Sequence, residues 1–187
     1  MAIFALNNND TIREEIEKAF WEIEAHELLK GNLDFIFKLL IEGFFASVAS
    51  IGFAMVFNVP KHALKFCAFG GALTLITRTV LLNFGFGVEL STFVASTCIG
   101  IIALYWSRKY IIPRPVYTVA SIIPMIPGTY AFSAMISLVD MNSHGVTPEL
   151  IELFIHNGLK AIAILGAISF GLALPSLYFM RLNRPVI

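Results

Sequence analysis

Charge is scarce in this 187-residue chain: 14% of residues are Asp, Glu, Lys or Arg, against roughly a quarter in an average soluble protein. Cysteine is scarce too. Cys67 and Cys98 both lie inside apolar runs and read as small buried hydrophobes, which argues against a disulfide scaffold or a metal pair. No His-Glu-x-x-His, Gly-x-Ser-x-Gly or phosphate-loop motif is found, and His26, His62, His144 and His156 are scattered. An enzyme, a resident metal or other cofactor, and a nucleic-acid partner are therefore not expected. Neither is a secretory signal: the first apolar run, Ile3 to Leu6, is short and has no base before it.

What is present is apolar. Hydrophobic residues make up 57% of the chain, 17 of them Phe, and the mean hydropathy is +0.78. A soluble domain of this size has too little interior to hide that much apolar surface. Five apolar stretches, at about 35–57, 63–82, 90–111, 116–138 and 158–180, are each long enough as a helix to cross a hydrocarbon core of about 30 Å. Period-two alternation is absent, so strands are excluded. The expected fold is an all-α integral membrane protein of about five transmembrane helices, with a membrane domain at 34–187. Residues 1–33 form an acidic extension with seven acids and three bases. Ile12, Ile16, Ala19, Phe20 and Ile23 make an amphipathic helix of residues 10–31, ended by Gly31.

Turn chemistry separates the spans: Asn58-Val59-Pro60, Gly85-Phe86-Gly87 and Pro113-Arg114-Pro115. The longer connection 139–157 predicts a short amphipathic helix after Thr147-Pro148. Seven bases (Lys61, Lys65, Arg108, Lys109, Arg114, Arg181, Arg184) fall on one side of a five-span arrangement. The excess of Lys and Arg on cytoplasmic flanks then predicts an outside N-terminus and a cytoplasmic C-terminus. Small residues recur every four positions at Ala46/Ser50/Ala54, Thr92/Ser96/Gly100 and Ala163/Ala167/Gly171, as close helix packing in lipid requires.

The fourth stretch carries the sharpest signal. Pro124 and Pro127 supply no N–H, so the carbonyls of Ala120 and Ile123 lose their helical donors, and the helix breaks at Pro124-Met125-Ile126-Pro127-Gly128. A second half-helix starts at Gly128 or Thr129. Its unpaired N–H groups and positive dipole end suit an anion. The candidate substrate-binding residues are Gly128, Thr129 and Tyr130, helped by Arg78 and Arg114, because a guanidinium matches a carboxylate with two parallel hydrogen bonds. A dicarboxylate needs two cationic groups. An amino acid needs one cation and one anion, for which Arg78 with Glu42 or Glu89 would serve. Lys38 and Glu42 are one turn apart and can pair, and Pro175 reads as a kink that frees the carbonyl of Gly171.

The runs Gly52 to Pro60 and Thr118 to Gly128, followed by Tyr130-Ala131 and Ala134 to Ser137, together with Ser91-Thr92-Phe93 and Trp106-Ser107-Arg108, resemble the threonine/serine exporter family, and within it the small YjjB-type subunit. The resemblance covers roughly residues 35–184. It implies a bacterial inner-membrane protein that acts with a larger YjjP-type subunit of five spans. For the YjjB type it implies succinate export, and for fused relatives threonine and serine export. It identifies no substrate-binding residue. The resulting expectation is the small subunit of a two-component exporter of small carboxylates. An amino-acid exporter subunit and an assembly subunit without substrate contact are the alternatives, and self-association is left open.

Overall fold

The computed structural model describes residues 30–181, with side chains to 178, and every regular element in that range is helical. Packing divides the chain into two units, Met1–Ile41 and Glu42–Ile187. The helix expected at 10–31 lies outside the described residues, except its end. There Gly31 does not stop a helix: it sits in the first turn of α1 (Lys30–Val56). Within the first unit the described residues 30–41 are helical, and Leu33, Phe37 and Leu40 are exposed.

In the second unit the rest of α1 is followed by α2 (Lys61–Asn83), α3 (Val88–Tyr110), α4 (Arg114–Ile122), a 3₁₀ turn at Ile123–Met125, α5 (Gly128–His144) and α6 (Pro148–Arg181). Four helices are long and apolar enough to cross a membrane, and there are five crossings if the bent pair α4–α5 is counted as one. Exposed Phe44, Phe45, Phe53, Phe69, Phe132 and Phe170 confirm that apolar side chains face outward. This is an all-α membrane protein.

The turn residues act through backbone geometry. Asn58 takes a left-handed conformation (φ 55°), its N–H bonds to Met55 O, and the next N–H, of Val59, bonds to Ala54 O. Gly85 (φ 83°) repeats the pattern, with its own N–H on Leu82 O and that of Phe86 on Leu81 O. Both are Schellman closures, which satisfy carbonyls that a helix end would otherwise leave open. The third turn is less comfortable, because Ile111 occupies the left-handed region (φ 55°) with a β-branched side chain.

Small residues set the close approaches. Ser50 and Ala46 of α1 lie against Gly71 of α2, so tightly that a Cβ on Gly71 would collide with the Ser50 hydroxyl. Gly70 faces Ser121 of α4, Gly171 of α6 faces Ser96 and Phe93 of α3, and Gly100 meets Pro175. Three of the four-residue stripes thus serve packing within the chain. α6 runs through Pro175 as one helix, and Pro175 gains a partner in Gly100.

These contacts fix direction. α1 from Glu42 onward is antiparallel to α2, α2 is antiparallel to α3, and α4 runs parallel to α2. α6 runs parallel to α3, since Ser96 pairs with Ala167 and Gly100 with Pro175. One end of the bundle therefore holds the turns at 57–60 and 111–113, and the other holds those at 84–87 and 145–147. The first end carries Lys61, Lys65, Arg108, Lys109 and Arg114, and no acid among residues 42–178. An aromatic cluster sits beneath it: Phe66 lies 4.9 Å from Trp106, 5.0 Å from Tyr110 and 5.7 Å from Tyr117.

The expected short helix in 139–157 does not exist as a separate element. α5 continues to His144, Gly145 (φ 91°) turns the chain, and Thr147-Pro148 starts α6, which runs unbroken for 34 residues, about 51 Å. Nothing near Gly158 forces a stop, and open space surrounds it.

Candidate functional site

The chain breaks where the prolines predict. α4 passes into the 3₁₀ turn, Ile126 and Pro127 are non-helical, and α5 starts at Gly128 with its axis bent by 60°. The broken backbone is repaired largely by α2. Thr74 Oγ1 donates to Ser121 O (2.9 Å), and the Arg78 guanidinium donates through Nη1 to Met125 O (3.1 Å). Cys67 Sγ reaches Val116 O (3.4 Å) one level below. Ile123 O, expected to be left open, accepts from Ile126 N–H (3.0 Å) because the turn tightens to 3₁₀.

Depth is the first surprise. Arg78 stands five residues before the end of α2, so the break lies about 7 Å from that end and past the middle of the bundle. The short α4, pinned in parallel to α2, sets this depth. Sequence position within the fourth stretch does not.

At the start of α5, Gly128 N–H is used: it turns back onto Ile126 O (2.8 Å), and Ala131 N–H bonds to Pro127 O (3.0 Å). The backbone N–H groups of Thr129 and Tyr130 have no partner among the described residues. Gly128 and Thr129 are exposed and Tyr130 is half-buried. Two of the four N–H groups that a helix start leaves open are thus available to a ligand.

Charged side chains gather around this point from three other elements. Arg78 comes from α2, and its guanidinium is within electrostatic range of Tyr130 and Glu89. Glu89 lies in the first turn of α3. Lys160 of α6 places its ammonium 5.3 Å from the centre of the Tyr130 ring. Glu89, His156, Leu159, Lys160 and Ala163 line one cleft of about 290 Å³. Two cations, one carboxylate, a histidine and the open end of a half-helix thus share one neighbourhood.

Arg114 does not join it. As the first residue of α4 it is eleven residues from Met125, about 16 Å along the helix, and it lines a different cleft. Glu42 does not join it either; its carboxylate accepts a 2.6 Å hydrogen bond from Thr79 Oγ1. Lys160 and His156 were missed as site residues in sequence. Lys160 was legible as an isolated base inside an apolar run, a position that costs several kcal/mol unless a partner or cavity receives it.

A family model for the threonine/serine exporter, ThrE, matches residues 42–178. The chain belongs to the threonine/serine exporter family. The match covers the second packing unit up to the last described side chain and includes the break, Arg78, Glu89 and Lys160. An uncharacterized protein of Haemophilus influenzae is 45% identical over 160 residues, which is 86% of this chain and 54% of that protein. The chain therefore spans about half the length of this curated relative. No solved structure matches.

Proposed function

We propose that this chain is the small subunit of a two-component inner-membrane exporter of small carboxylates, succinate first, acting with a larger YjjP-type five-span subunit. The observation that carries the reading is the start of α5: two unpartnered backbone N–H groups, with Arg78 on one side and Lys160 on another. A carboxylate there meets aligned amide dipoles and a guanidinium, and a second carboxylate finds the ammonium. Arg78 donates to Met125 O. An arriving carboxylate competes for the same N–H donors, which couples binding to the joint between the half-helices. The basic end faces the cytoplasm in this reading.

Glu89 favours a second reading. One carboxylate beside two cations also suits an α-amino acid, with its ammonium on Glu89. Labelled succinate, threonine and serine efflux separates the two, measured in cells lacking their own exporters, with this chain and its large partner expressed singly and together. Succinate efflux only with both chains supports the first reading. Amino-acid efflux that collapses in Glu89→Gln supports the second. The site itself is tested by Gly128→Leu. A Cβ at this position meets open space, so the protein should still insert and pair while export is lost. Wild-type export in that variant would sink the site.

A further inference from the structure

The cleft that holds Arg114 has a different character. It measures about 290 Å³, opens between α3, α4 and α6, and is lined by Gly100, Arg114, Thr118, Ser169, Leu172 and Ser176 among others. Arg114 is half-buried, and its guanidinium has no hydrogen bond or ion pair among the described residues. Three hydroxyls line the same space. Each gives its hydrogen to a carbonyl of its own helix: Thr118 to Arg114 O (3.3 Å), Ser169 to Leu165 O (2.9 Å), Ser176 to Ala173 O (2.8 Å). Hydroxyl hydrogens rotate readily, and such back-bonds add little to a helix, so all three can turn to a ligand oxygen at small cost. Ser169 and Ser176 are seven residues apart, so the cleft runs about 10 Å along α6.

We infer that this cleft binds the headgroup of an anionic phospholipid, with the phosphate on Arg114 and the ester oxygens on the hydroxyls. Three observations favour a lipid. The cleft opens at the end that holds five bases and no acid among residues 42–178, where an anionic leaflet is attracted. Trp106 and the exposed Tyr105 and Tyr110 stand at the same level, as residues of a membrane–water interface do. Leu172, Ala173 and Pro115 complete the wall with apolar surface that suits the start of an acyl chain.

The test is native mass spectrometry of the full chain in mild detergent, titrated with phosphatidylglycerol or phosphatidylcholine. Phosphatidylglycerol adducts should be retained at least tenfold better than phosphatidylcholine adducts. Arg114→Gln should remove that preference and Arg114→Lys should keep most of it. Lys61→Gln, a base at the same end outside the cleft, should leave it within twofold. Ser169→Ala with Ser176→Ala should weaken retention several-fold without touching Arg114, which covers the case of an Arg114 variant that does not insert. Equal retention of the two lipids, or equal loss in Lys61→Gln and Arg114→Gln, overturns the site. Displacement of the lipid by glycerol 1-phosphate at matched concentration would assign the cleft to a soluble phosphate and overturn the lipid source. Export is not part of the measurement, so its outcome is independent of the proposed transport.

Discussion

The two halves of the broken helix are treated very differently by the fold. α4 has nine residues, and Tyr117, Ala120 and Ser121 are fully enclosed between α2 and α3. α5 has seventeen, of which only Ala134 and Ser137 are buried, and it packs chiefly against α6. Side-chain bonds from Cys67, Thr74 and Arg78 stitch the α4 arm and its 3₁₀ turn to α2. No such bond reaches α5 among the described residues; its hydroxyl contacts are to its own carbonyls. A chain break between a clamped arm and a loosely held arm lets the second present its open N–H groups while the first keeps its place. The small residues are what make the clamp, because only they let α2 and α4 come close enough for hydroxyl-to-carbonyl bonds.

That contrast can be broken from the clamped side first. Gly70→Val puts a Cβ against the Ser121 hydroxyl and within 3.0 Å of Ile99. It should cost about 3 kcal/mol, at the upper end for overpacking, read as a lower midpoint of unfolding in detergent. Gly128→Val, the equivalent change on the free arm, should leave that midpoint nearly unmoved, and equal losses would erase the distinction. Thr74→Val removes the bond to Ser121 O while keeping the shape, and should cost about 1 kcal/mol in the same assay. Ile111→Gly should go the other way, raising stability by about 0.5–1 kcal/mol, because glycine accepts the left-handed turn that a β-branched residue resists. The smallest effect belongs to the free arm. Phe132 is 66% exposed, and Phe132→Ala should shift the midpoint by less than about 0.5 kcal/mol. A shift above 2 kcal/mol would mean that α5 is held as firmly as α4.

Much of the architecture was legible in residue order because its causes are local. Lengths of apolar sequence set the spans, missing proline N–H groups broke the fourth at Pro124 and Pro127, and Asn58 and Gly85 marked turns that need a positive φ. The start of α5 at Gly128 follows from the same rule. Where local signals competed, reading failed: Gly31 looked like a place for a helix to stop, yet it is helical, since a single glycine opposes a helix by only about 1 kcal/mol.

Sequence by itself thus determined that this is a helical membrane protein and where its backbone is broken. Tertiary structure alone decided which charges share a site. Arg78, Glu89, Tyr130 and Lys160 come from four helices, and only the parallel pairing of α2 with α4 and of α3 with α6 brings them to one level. The same pairing sends Arg114 to the opposite end of α4. Register between helices is set by the fit of glycines against hydroxyl-bearing side chains far apart in the chain, and no local pattern encodes that fit.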